Sequence, residues 1–147
     1  MTKHEALAVE LHKQHYSCAQ AVLAAFSDVA GVDQAVLLKL AAGFGGGIAD
    51  MHEICGAVSA MLMAADLIYA EGAPDKQMRA EHDYPRLREM TDAFRRENGS
   101  ILCRELLGFE GAELKRAPGK TCRTMVADAA RILDEYIEAH PVPKAEP

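Results

Sequence analysis

Tryptophan is absent from this chain of 147 residues, and only four Phe and four Tyr are present. A core short of large rings is filled instead by Ala, Leu, Met and Val, side chains that suit closely packed helices. No alternating apolar–polar run is long enough for a strand, and no internal repeat recurs at solenoid spacing. Cys-x-x-Cys is missing, which excludes a locally written thioredoxin-type dithiol or zinc ribbon. A dense Lys/Arg run is also missing, and the net charge is −6, which argues against nucleic acid as a partner. The local basic group Arg86, Arg88, Arg95 and Arg96 is interleaved with Glu81, Asp83, Glu89, Asp92 and Glu97, as on a solvated helix face. The longest apolar stretch, Ile54 to Ala70, is interrupted by Ser59 and Asp66 and reads as a buried helix rather than a membrane span. Met1-Thr2-Lys3-His4-Glu5 leads straight into an amphipathic pattern, so a cytoplasmic protein without a membrane partner is the expectation.

What is present reads as helix nearly throughout. Half of the residues are apolar, and the length suits one domain with its own core. Glu5 to Lys13 forms a short amphipathic helix that the His15-Tyr16-Ser17 segment breaks. Ser17, with Gln20 at capping-box spacing, starts a second helix that Gly31 closes. Asp33 caps a third. Gly43-Phe44-Gly45-Gly46-Gly47 is the strongest breaker. A long helix follows from near Glu53 to Ala70. Pro74 and Asp75 restart a helix that runs to Glu97, with Pro85 expected to kink or divide it. Ser100 opens a short helix over Ile101 to Leu107, and the last helix runs from Cys122 to about Ala139. The expectation is an all-α, single-domain bundle of about five to seven helices with a glycine-rich loop, spanning 1–140, with a mobile tail at 141–147.

Four cysteines, Cys18, Cys55, Cys103 and Cys122, are spread widely, and each is predicted in the first turn of a helix. Free backbone N–H groups and the positive end of the macrodipole lie there. A cysteine so placed is pushed toward thiolate, the form that ligates metals and attacks disulfides. The expected effect is largest at Cys18 and Cys55. In a reducing compartment four cysteines point to metal or redox chemistry before structural disulfides. A cluster bound by four thiolates carries negative charge, which converging helix N-termini would stabilise. The same geometry suits a redox dithiol. The plainer alternative is that each Cys is a small buried apolar residue.

Other candidates are weaker. Gly45, Gly46 and Gly47 could bring backbone N–H groups to an anion or to sulfur, and Gly56 could allow close approach of a cofactor or a second helix. The loop is no P-loop, because no strand precedes it and no Gly-Lys-Ser/Thr follows. His52, three residues before Cys55, is a candidate ligand or proton donor. Asp50 and Glu53 are candidate acid–base groups, though a helix-start carboxylate is more often a cap. His4, His12, His82 and His140 read as solvated. His12, His15 and Cys18 are spaced by three, but the predicted break before Ser17 removes a common helical face. The methionines fit core packing better than a copper site.

The segments Tyr16-Ser17-Cys18-Ala19-Gln20-Ala21-Val22, Gly43-Phe44-Gly45-Gly46-Gly47, Cys55-Gly56-Ala57-Val58-Ser59-Ala60, Cys103-Arg104-Glu105-Leu106-Leu107-Gly108 and Cys122 before an Ala-rich helix resemble the C_GCAxxG_C_C family of redox-active proteins. The family's four cysteines map onto Cys18, Cys55, Cys103 and Cys122. Ala60 stands where the family's Cys-Gly-Ala-x-x-Gly stretch has its second Gly. The resemblance implies redox or metal chemistry without a named substrate. A similar cysteine arrangement in certain multidomain cytochromes implies an iron–sulfur site. The expected function is therefore a small redox-active protein, with Cys18, Cys55, Cys103 and Cys122 holding an iron–sulfur cluster, most simply a two-iron one. Its role would be electron transfer or redox sensing with a partner protein of unknown identity, and a homodimer is an open assembly. The alternatives are a thiol–disulfide oxidoreductase using Cys18 and Cys55, and a helical module with structural zinc or no cofactor that mediates protein contacts.

Overall fold

Helix α2 (Cys18–Ala25) is eight residues long and apolar apart from Gln20, so it is stable only when surrounded. In the computed structural model, which describes residues 1–142, it is the buried axis of the bundle. Ala19, Ala21, Val22, Leu23, Ala24, Ala25 and Phe26 are all within 1% of full burial. The alanines let neighbouring helices come close, and Leu23 and Phe26 fill the space between them. Truncating a buried Leu of this kind costs about 2–5 kcal/mol.

Helix α1 (Lys3–Lys13) starts from a complete capping box made by Thr2 and Glu5 and packs on α2 and on α9 (Cys122–Ala139). Short helices α3 (Ser27–Ala30) and α4 (Gln34–Leu40) follow, separated by left-handed Gly31 and the Asp33 cap. Helix α5 (Gly56–Tyr69) packs on α2 and α9. Five helices of eight residues or more stand among the described residues, and together with the short ones they make an all-α fold. The only strand-like pairing described is an antiparallel bridge between Ile54 and Leu102.

Three expectations change in detail. The helix expected from Glu53 begins at Gly56, because residues 45–53 are held in a turn. Ser100 does not cap the helix before Cys103. Leu102 occupies the cap position of α8 (Cys103–Leu107), and the Ser100 hydroxyl instead accepts from Leu102 N–H and donates to Glu105. Pro85 does not divide its helix. Helix α6 (Lys76–Met78) runs through a π turn at Arg79–Asp83 into α7 (Tyr84–Asn98). Tyr84 N–H donates to the Arg79 carbonyl, and this wider turn just before Pro85 accommodates the missing N–H and the bulk of the ring. Of the tail expected at 141–147, residues 143–147 lie outside the described residues.

His4, expected in solvent, is buried. Its Nδ1 is 2.6 Å from Asp134 and its Nε2 is 2.8 Å from Asp28, and the ring stacks on Phe26. The Asp134 hydrogen bond, followed by Asp28, outweighs burial and raises its pKa. This clamp ties the start of the chain to α3 and α9.

Candidate four-cysteine site

Each cysteine reaches the site for a local reason. Ser17 caps α2 through Gln20 N–H while the Gln20 side chain accepts from Ser17 N–H, which fixes Cys18 at the first helical position. Thr121 and Thr124 do the same for Cys122. Cys55 occupies the cap position of α5 itself rather than its first turn, because the helix begins at Gly56. The Ile54–Leu102 bridge then sets Cys55 beside Cys103: Cys55 N–H donates to the Ile101 carbonyl at 2.7 Å, and Cys103 N–H to the Glu53 carbonyl at 2.6 Å.

The segment from Gly46 to Asp50 has positive φ at five consecutive residues, a left-handed turn that includes Ile48 and Ala49. Such conformations cost roughly 1–2 kcal/mol for each residue with a side chain, so the surroundings must hold them. Ala49 N–H donates to the Gly43 carbonyl, Asp50 N–H to Gly45 and Glu53 N–H to Gly47. The turn delivers Gly47 (φ +70°) against Cys103, leaving no room for a side chain. Gly56 makes the second close approach: a β-carbon there would lie 2.8 Å from the Phe44 carbonyl oxygen and 3.2 Å from Ala19 N.

All four cysteines line one small cavity of about 60 Å³, together with Gly46, Gly47, Gly56, Leu106, Leu107 and Met125. Gly45, also expected at the site, is outside this lining and packs against Ser17, the cap of the Cys18 helix. Cys55 and Cys103 are buried, whereas Cys18 and Cys122 are half-buried and form the outer edge. No disulfide joins them. The volume is far below the several hundred Å³ that an organic cofactor needs. A larger open groove of about 730 Å³, lined by residues such as Leu40, Asp66 and Tyr84, contains no cysteine.

The sulfurs differ in acidity, and the uniform lowering expected from helix starts does not hold. Burial pushes Cys55 up to about 11, although the Ala57 and Val58 amides pull the other way. Burial also raises Cys103, helped by the charges of Cys122, Asp50 and Glu110. Cys18 and Cys122 influence each other's ionisation. The neighbouring Cys122 sulfur, followed by burial, raises Cys18, and Cys18 in turn lowers Cys122 to about 6, with Arg116 assisting.

A second contact reaches Cys18. His12 Nε2 lies 3.9 Å from its sulfur, and Arg123 Nε donates to His12 Nδ1 at 3.2 Å. Burial, reinforced by Arg123, lowers the His12 pKa. His12 was expected in solvent. Its signal was the His12-His15-Cys18 spacing: His15 adopts φ +73° and folds the chain back, so the break itself brings His12 to Cys18. His52 does not line the cavity. It stacks on Phe109 and its Nδ1 is 3.2 Å from Glu110. Glu53 is paired with Arg104, and Asp50 is felt electrostatically at Cys103.

Residues 16–136 match the family described as "Putative redox-active protein (C_GCAxxG_C_C)". The chain belongs to this family. The matched span contains all four cysteines and the glycine-rich turn, so the convergence described above is a property of a C_GCAxxG_C_C protein. Comparisons with curated proteins and with solved structures give no match. No described helix is long and apolar enough to cross a membrane.

Proposed function

We propose that this C_GCAxxG_C_C protein is a cytoplasmic electron carrier or redox sensor whose Cys18, Cys55, Cys103 and Cys122 hold an iron–sulfur cluster, most simply a two-iron one. The observation that carries this reading is the convergence of four thiols, from four separate helix starts, on one small cavity. The donor set fits such a group, since iron–sulfur clusters are held by four cysteine thiolates. The capped N-termini of α2 and α9 offer positive dipole ends to a negatively charged site. The apolar walls from Leu106, Leu107 and Met125 keep water from the inner sulfurs.

When bound, the cluster supplies one-electron chemistry. The chain's own residues divide the remaining work. Cys55 and Cys103 anchor the buried side. Cys18 and Cys122, half-buried at the edge, face the side from which a partner protein can exchange electrons. Zinc is the weaker reading. It would use the same four thiolates, and metal analysis distinguishes the two.

A second reading rests on Cys18 and Cys122 lining the same cavity as its two half-buried cysteines, with Cys122 lowered toward thiolate. The Cys122 thiolate attacks a partner disulfide, forming a mixed disulfide and releasing one partner thiolate. Cys18 then attacks the mixed disulfide, yielding a Cys18–Cys122 disulfide and the second partner thiolate. Anaerobic purification with iron, acid-labile sulfide and a visible spectrum separates the readings. A coloured protein with iron and sulfide supports the cluster, and a colourless protein with four titratable thiols and no iron overturns it.

A further inference from the structure

Beyond the four cysteines, the cavity edge carries a directed chain of hydrogen bonds. Arg123 Nε donates to His12 Nδ1 at 3.2 Å, and His12 Nε2 lies 3.9 Å from Cys18 Sγ. An arginine nitrogen only donates. His12 Nδ1 therefore holds a lone pair, and its hydrogen sits on Nε2, the nitrogen that faces the sulfur. The contact is N–H to sulfur, not sulfur to imidazole. Arg123 follows Cys122 in α9, His12 is in the last turn of α1 and Cys18 begins α2, so the packing of α1 on α9 brings Arg123 to His12 and the packing of α1 on α2 brings His12 to the sulfur.

We propose that His12 is a hydrogen-bond donor to the reacting sulfur of Cys18 and that Arg123 is the positioning residue that fixes it there, the pair setting the reduction potential of the site. This rests on the redox reading of the cysteines. A donor N–H draws negative charge from sulfur and so favours the more negative, reduced state, which raises the potential. The sign is the same for either redox reading. In the dithiol form, two cysteines reduce glutathione disulfide to two glutathione thiols while a Cys18–Cys122 disulfide forms, and stabilising the reduced cysteines again raises the potential.

Three measurements on the full chain decide it. First, nitrogen-15 NMR of histidine-labelled, metal-free protein reports the His12 tautomer. A neutral Nε2–H form in the wild type that becomes mixed in Arg123→Ala supports the proposal, and an Nδ1–H form overturns it. Second, the midpoint potential is measured for wild type, His12→Ala, His12→Gln and Arg123→Ala, on the cluster where one is present and on the dithiol against glutathione buffers where it is not. A shift to more negative potential in His12→Ala, partly restored in His12→Gln, whose amide N–H can replace the imidazole, supports it. Unchanged potentials with intact helix content overturn it. Third, iron and sulfide content together with disulfide formation test the redox reading separately. Failure of both leaves that reading wrong whatever the tautomer, and a potential that ignores His12 leaves the reading standing and the proposal wrong.

Discussion

Gly47 and Cys103 touch so closely that a β-carbon on Gly47 would lie 2.7 Å from Cys103 Cβ. With φ at +70°, the position is also one that side chains rarely adopt. Gly47→Ala therefore meets two penalties, left-handed backbone and overpacking, together roughly 2–4 kcal/mol. Urea unfolding should show that loss. Because Cys103 must move, the variant should also release bound iron, or alkylate at Cys103, sooner than the wild type does.

Gly56 gives the contrasting case. Its φ is ordinary, so Gly56→Ala meets only the Phe44 carbonyl and the start of α2. The expected cost is about 1–3 kcal/mol. A Gly56→Ala protein as stable as the wild type would show that α2 and α5 can separate freely, which the buried α2 axis argues against.

The glycine-rich turn shows how much of the site could be read from sequence. Its position before Cys55 was evident, as was the cap at Ser17, because a capping box is a local pattern. Cys55 and Cys103 were harder. They are set side by side by the Ile54–Leu102 bridge, a pairing across 48 positions that no local period announces. Ser100 was misread for the same reason, since that bridge leaves Leu102 in the cap position. His4 looked solvated because its partners, Asp28 and Asp134, are 24 and 130 positions away. The upward shifts at Cys55 and Cys103 were missed because helix dipoles can be inferred from caps, whereas burial becomes visible only in the folded chain.

The His4 clamp predicts a pH dependence. His4 is raised, so its contribution is complete below about 6.5 and lost as pH rises through the folded value. Burial opposes ionisation of Asp28 and Asp134. Lys3 and His4 nonetheless hold Asp28 down to about 2, and His4 lowers Asp134. The carboxylate contributions are therefore present above about 4 and lost as pH falls through the lowered values. The denaturation midpoint should fall between pH 6 and pH 8.5 in the wild type and fall less in His4→Gln. Parallel profiles for the two proteins would remove the clamp from the account.

In metal-free protein the thiols should react in a fixed order. Cys122, lowered to about 6, should alkylate with iodoacetamide near neutral pH, and Cys55, raised to about 11, should be nearly inert there. Cys18→Ala removes the neighbour that lowers Cys122, so Cys122 should then need a higher pH for the same rate. Mass spectrometry of labelled peptides gives the order. Cys55 reacting before Cys122 would contradict it.

The central claim is that four cysteines form one redox centre, and it is tested most directly on single Cys→Ser variants at 18, 55, 103 and 122. Each is purified without oxygen and measured for iron, acid-labile sulfide and visible absorption, with circular dichroism as the folding control. The account predicts a coloured wild type and loss or marked alteration of the chromophore in all four variants, with helix content kept. A wild type without iron, or a chromophore unaffected by any one of the four substitutions, would contradict it.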